Sequence, residues 1–229
     1  MMIVSTQAKP NSSFKWTSRI IGFVWAFLTA CFAVLNIYVF AQPQWIGDTL
    51  SSPRAGHFGL YSYCVSTVTD YDFDCHGTWR NFQTILNAPF AAATFFVGFS
   101  ILLILICLAV FILFLFLRPR LVYFICALIQ IICSICLFIA LIIYPSGFDN
   151  DTIRLVCGSN VNDYYIDTCQ VRWAYILAIV AFFNIFILAM FAFLLALQQP
   201  TNPTETERMA ANSAGQINET YDGRTIPRY

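Results

Sequence analysis

Four long apolar runs, Ile20–Ala41, Pro89–Leu117, Leu121–Tyr144 and Trp173–Leu197, contain no Lys, Arg, Asp or Glu. A helix needs roughly 20 apolar residues to cross a ~30 Å hydrocarbon core, and each run is long enough. A soluble chain of 229 residues has too little interior to surround four such helices on every side. The chain is therefore expected to span a membrane four times. The second run, about 29 residues and ~43 Å long as a helix, is expected to tilt or to project past the bilayer. The first run exceeds the ~7–15 residues of a secretory signal core and has no small-x-small cleavage site, so it reads as a retained anchor.

Charge gives the orientation. Lys9, Lys15, Arg19, Arg118, Arg120, Arg208, Arg224 and Arg228 lie in the N-terminal arm, the link between runs two and three, and the tail. The two longer loops hold Arg54, Arg80, Arg154 and Arg172 against Asp48, Asp70, Asp72, Asp74, Asp149, Asp151, Asp163 and Asp167. A Lys/Arg excess marks the cytosolic side. The expected layout is a cytosolic arm (1–19), helix 20–41, a first extracellular loop (42–88), helix 89–117, a cytosolic turn (118–120), helix 121–144, a second extracellular loop (145–172), helix 173–197 and a disordered cytosolic tail (198–229). So short a turn makes the second and third helices antiparallel neighbours. Partners are expected in and around the lipid bilayer of the plasma membrane. A formal net charge of zero without a basic run does not point to nucleic acid.

The first loop is rich in Thr, Val, Tyr and Phe with Gly breaks, and His57–Thr69 has strand character. A small extracellular β-sheet standing on the helices is expected, because strand pairing satisfies loop backbone groups at the membrane surface. Cys64, Cys75, Cys157 and Cys169 fall in the outer loops, on the oxidising side. Four cysteines allow three pairings. The within-loop bridges Cys64–Cys75 and Cys157–Cys169, which close two short loops, are preferred. Zinc is the rival reading and is disfavoured by the absence of a CxxC pair. Cys31, Cys107, Cys126, Cys133 and Cys136 lie within spans and read as small packing residues.

Little in the chain carries reaction chemistry. His57 and His76 are loop histidines, and His76 beside Asp74 reads as solvated rather than catalytic. There is no nucleophile elbow, phosphate loop or HExxH motif. The spans lack the ionisable residues of proton relays and ion pathways. No enzyme, pump, self-contained pore, cofactor or metal site is expected. The amides Asn36, Gln130 and Asn184 enter the bilayer on spans one, three and four, and are read as hydrogen-bonding glue inside the bundle. Gly22, Ala26 and Ala30 form a small-residue stripe for helix packing. The stripe can face the protein's own Ala174 and Ala178 or a partner's helix, the first being favoured. Asn150-Asp151-Thr152 is an N-glycosylation sequon on the outer side, whereas those at Asn11 and Asn218 lie on cytosolic segments.

Trp45, Gly59-Leu60-Tyr61, Cys64 and Cys75, with Arg80 beyond, resemble the W…GLW…C…C signature of the claudin and peripheral-myelin-protein superfamily. A narrower likeness covers about residues 16–198. It rests on Gln42–Asp48, His57–Leu60 through Cys64, Tyr144–Asp149, Val171–Tyr175 and, on span three, Val122-Tyr123 and Ile125–Ala127 with Gln130. These segments resemble the lipoma HMGIC fusion partner-like tetraspan family. Gln44 and Phe148 depart from it, standing where members usually carry an aromatic residue and a tryptophan. The resemblance implies an all-α membrane protein with a small extracellular β-sheet: a claudin-like, left-handed four-transmembrane-helix bundle, with one strand of the sheet from the second loop. It also implies a non-catalytic auxiliary role. Members join a tip-link cadherin to mechanotransduction channels, or assemble with GABA-A receptors and neuroligin at inhibitory synapses. The partners it implies are ion-channel or receptor subunits and a cadherin or neuroligin-like adhesion protein. A claudin-like adhesion or paracellular barrier protein is the alternative.

Overall fold

A computed structural model describes residues 12–67, 72–112 and 119–198. The arm up to Asn11, the end of the second apolar run with Arg118, and the tail beyond residue 198 with its Asn218 sequon lie outside the described residues.

In hydrocarbon a backbone amide has no water to bond, and a helix satisfies it internally. The long helices are α1 (Ser12–Ala41), α2 (Ala88–Ile112), α3 (Pro119–Ile143) and α5 (Trp173–Gln198), with a short α4 (Asp151–Cys157) before the last. Four stretches, Ile20–Ala41, Ala88–Ile112, Arg120–Gly147 and Trp173–Leu197, are long and apolar enough to cross a membrane. Helix ends and apolar boundaries differ. α1 starts ahead of Ile20, and α3 takes in Pro119 and Arg120 from the expected turn. Apolarity marks bilayer depth, whereas helix ends follow local signals such as a proline in the first turn, which needs no N–H partner. At α2 the Asn87 Oδ1 accepts the N–H of Phe90 at 3.0 Å, capping the helix one residue ahead of Pro89's turn.

The helices form a ring in which α1 and α3 each pack against both α2 and α5. Small side chains line the contacts: Ala174, Ala178, Ala181, Ala192 and Ala196 on α5 are buried, as are Ala127 and Ala140 on α3. Lipid removes the hydrophobic drive between helices, so close backbone approach through small residues supplies the attraction.

Above the ring stands a five-stranded antiparallel sheet in the order β4-β3-β2-β1-β5. The first loop gives β1 (Ile46–Gly47), β2 (Gly56–Phe58), β3 (Tyr63–Ser66) and β4 (Phe73–His76), and the second gives β5 (Gln170–Val171). The segment with strand character, His57–Thr69, contributes to two strands, β2 and β3, and its last residues, Val68 and Thr69, lie outside the described residues. It folds back at Gly59–Ser62, closed by the Gly59 N–H on the Ser62 carbonyl at 2.8 Å. The second loop holds α4, which its sequence did not announce. Asn150 caps α4, its Oδ1 accepting the Thr152 N–H at 2.9 Å, and Gly158 ends it at φ 107°. One turn-scale helix lies below the length at which apolar periodicity is readable.

Candidate functional site: the junction of sheet and bundle

Aromatic packing and long-range hydrogen bonds come together where the sheet meets the helices. Trp45 precedes β1 and is fully buried; its indole N–H donates to the Val39 carbonyl near the end of α1 at 3.1 Å. Its ring lies 4.9 Å from Tyr144 and 5.6 Å from Tyr175, centroid to centroid. Tyr144, in the turn after α3, also meets Phe90 of α2 at 4.4 Å and Phe148 edge-on at 5.7 Å. One aromatic cluster thus joins the first loop to three helices.

Directional bonds fix the register of that cluster. The Tyr144 hydroxyl reaches the carbonyls of Phe58 and Gly59, both at 3.3 Å. Thr94 of α2 donates to the Leu60 carbonyl at 2.9 Å, and Asn87 Nδ2 to the Gly147 carbonyl at 2.6 Å. The Tyr175 hydroxyl ties α5 to the Leu141 carbonyl of α3 at 2.9 Å. Gly59 is required by close approach: a Cβ there would lie 2.7 Å from Pro43 Cα and 2.9 Å from the Gln42 carbonyl oxygen.

A second tie joins the two loops. The Arg172 guanidinium donates to the Asp48 carbonyl at 2.9 Å and to its carboxylate at 3.1 Å, and the Arg172 N–H donates to the Trp45 carbonyl at 2.8 Å. Thr49 and Thr168 bond across the same seam at 2.6 Å. Beside it His57 is half-buried, and burial holds its pKa below the ordinary value of 6.5; Asp48 opposes this shift and Arg172 adds to it.

Both pairs of outer cysteines are bonded. Cys64–Cys75 staples β3 to β4, with Cα atoms 4.1 Å apart, and Cys157–Cys169 closes the second loop at 5.0 Å. Of the signature residues, Trp45, Gly59 and Leu60 converge on the junction, whereas Cys64 sits out on β3, bonded to Cys75. Cys75 is on the exposed edge strand, and Arg80 lies over the neighbouring Trp79 ring at 5.3 Å, away from the others. The departures from the family pattern are accommodated: Gln44 accepts the Trp173 indole N–H at 3.1 Å, and Phe148 fills its place in the aromatic cluster. His76 pairs with Asp74 at 2.9 Å, both exposed. Among the described residues no group of three or more His, Cys, Asp or Glu is placed to hold a metal ion. Cys107, Cys126, Cys133 and Cys136 are buried in the bundle, while Cys31 is exposed.

Within the bundle, side-chain hydrogen bonds among the described residues tie α1 to each of the other three long helices. Asn36 donates to Ser100 of α2 at 2.8 Å, Gln130 of α3 donates to Thr29 at 3.2 Å, and the Trp25 indole donates to the Leu188 carbonyl of α5 at 3.1 Å. Asn184 departs from the expected role. It is exposed on α5 and bonds to none of the described residues: it sits at the flank of the buried Ala181 and Ile185 side, turned far enough round the helix that no neighbouring helix covers it.

The small-residue stripe also departs from its expected course. Gly22 is buried, and a Cβ there would strike the Tyr123 hydroxyl of α3, whereas Ala26 and Ala30 are half-buried. Four-residue steps drift about 40° each around a 3.6-residue helix. The inward seam instead runs Gly22, Trp25, Thr29, Phe32, Asn36 and Val39, in steps of three and four. Gly22 is therefore not open to a partner. Tyr144 and Tyr175 enter the sequence reading only inside segments that carry the family resemblance, with no role assigned, and Thr94 does not enter it. Each lies in or near an apolar run, where hydrophobic pattern does not distinguish a junction residue from a lipid-facing one.

Four spanning helices under a small extracellular sheet, joined by a Trp-centred junction, define a claudin-like tetraspan membrane protein. The family model described as lipoma HMGIC fusion partner-like protein matches residues 21–198. LHFPL tetraspan subfamily member 4 protein of Mus musculus is 45% identical over 183 residues, covering 80% of this chain and 74% of that protein. Member 3 of Danio rerio is 40% identical over 200 residues, covering 86% and 93%. The chain belongs to the lipoma HMGIC fusion partner-like tetraspan family, a family of non-catalytic membrane proteins.

Proposed function

We propose that this chain is an auxiliary subunit that stabilises, traffics or clusters an ion-channel complex in the plasma membrane, with both termini in the cytosol. The channel is a mechanotransduction channel or a pentameric GABA-A-like receptor, accompanied by a cadherin or neuroligin-like adhesion protein. The observation that carries this reading is the junction. Trp45, Tyr144 and Tyr175 couple the sheet to the helices, so a contact made outside the membrane is mechanically continuous with one made inside it.

Both surfaces such a subunit needs are present. Outside, the sheet ends in two exposed strands, β4 and β5, and Leu50 protrudes fully into solvent at the rim of an open cleft of about 690 Å³ shared with Asp48 and Arg172. In the bilayer the four helices expose Phe, Leu and Ile on their outer faces. The spans carry no charged residue that would serve an ion path. Support for the role itself comes from family membership.

The test is purification in mild detergent followed by mass spectrometry of co-purifying membrane proteins. A stoichiometric channel subunit is expected, retained when the chain is truncated after Gln199, because the family match ends at residue 198. Freeze-fracture strands in cells expressing the chain alone, without any channel in the purified material, would replace this reading by a barrier function.

A further inference from the structure

Asn184 lies close to the middle of the 25-residue span Trp173–Leu197, on the lipid side, with no hydrogen-bond partner among the described residues. Side-chain amides at that depth normally face a bundle interior, where a donor and an acceptor are at hand. The other two intramembrane amides of this chain do so: Asn36 and Gln130 are fully buried and bonded. Around Asn184 the exposed residues are Val180, Ile187, Phe191 and Leu194, which with it follow steps of four and three along one face. That is the spacing of a helix–helix seam, apolar except for a single central amide.

We propose that this face of α5 is a homotypic interface, on which a second copy of this chain docks with the two Asn184 side chains paired across a two-fold axis normal to the membrane. Three physical points select a second copy. Copies inserted by the same route are parallel, so residue 184 of one lies at the depth of residue 184 of the other. An amide both donates and accepts, so two of them satisfy each other in an isologous contact. A lone asparagine in an apolar seam fixes register and favours a parallel pair, because any slip leaves each amide facing hydrocarbon. The inference goes beyond the auxiliary-subunit reading and does not rest on it.

The experiment reconstitutes the full-length protein, fluorescently labelled, in phosphatidylcholine vesicles at a series of protein-to-lipid ratios. Dimer fraction is counted by single-molecule photobleaching. Asn184→Leu is expected to weaken association roughly 3- to 30-fold, the range spanned by interhelical amide bonds in lipid. Asn184→Gln, which keeps the amide, should retain most of it. A photo-crosslinking residue at Ile187, in otherwise unaltered protein, should give an adduct of twice the chain mass whose crosslink maps to α5. This second measurement holds even if the leucine variant folds poorly. Equal association of wild type and a folded Asn184→Leu protein, or a crosslink that maps to another helix, overturns the proposal. So does a crosslink formed in cells only to a different chain, which assigns the face to a foreign helix. Co-purification with a channel is scored separately, and its outcome leaves this one unaffected.

Discussion

The outer junction and the middle of the bundle are built by different means. At the junction, aromatic rings pack around Tyr144 while hydroxyls and amides from α2, α3 and α5 bond carbonyls of the first loop and the neighbouring helices. In the middle of the bundle, a few single hydrogen bonds hold α1, and among the described residues Asn36 Oδ1 and Gln130 Oε1 are buried without a partner. The difference follows from the surroundings. At the membrane edge the backbone leaves the helix and presents free carbonyls that must be met, so side chains with O–H and N–H groups converge there. Deep in the bundle every backbone group is already paired, and close packing of small residues suffices.

Trp45→Ala is expected to have the largest effect. It empties the centre of the junction and should cost about 3–5 kcal/mol. Retention in the secretory pathway, and loss of a cooperative melt in detergent, would register it. Near-normal melting would show that the junction is no stiffer than the bundle.

Gly22→Leu against Ala26→Leu probes the bundle seam. The first drives a side chain into Tyr123 and should cost roughly 1–3 kcal/mol, whereas the second, at a half-buried position, should be close to neutral. Melting temperatures of the two variants in one detergent decide this, and equal values refute the assigned seam.

Asn36→Leu should be milder still. It removes one bond worth about 0.6 kcal/mol in lipid, together with an unpartnered buried oxygen, and the Ser100 hydroxyl keeps its own acceptor, the Val97 carbonyl, at 2.7 Å. A large loss of stability would mean that the middle of the bundle depends on its amides as the junction does on its rings.

The smallest expected effect is a pH dependence from His57. Burial lowers its folded pKa below 6.5, so between the two values the unfolded chain binds more protons than the folded one. Stability should fall as the pH drops through that window and stay level above it. His57→Gln should flatten the dependence in melts across that range, and an unchanged slope would assign it to another group.

Much of the architecture was legible in the residues. The four spans are readable because hydrocarbon rejects charge outright, leaving runs that no soluble helix needs. The cysteine pairs were readable because each falls within one loop, whereas Trp45 with Gly59-Leu60 was readable only through the resemblance to a family signature. The division of His57–Thr69 into β2 and β3 was less so, since the turn depends on Gly59 lying against Pro43, a contact distant in sequence.

Sequence by itself determined that this chain crosses a membrane four times, carries an outer module rich in cysteine and aromatic residues, and belongs to its family. Tertiary structure alone decided which side of each helix faces inward. On an apolar run nearly every position is hydrophobic, so the pattern that separates core from surface in water is erased. Gly22 and Ala26, or Gln130 and Asn184, look alike until the neighbouring helix is in place. Only then do two of the three amides point into the bundle, leaving the third toward lipid.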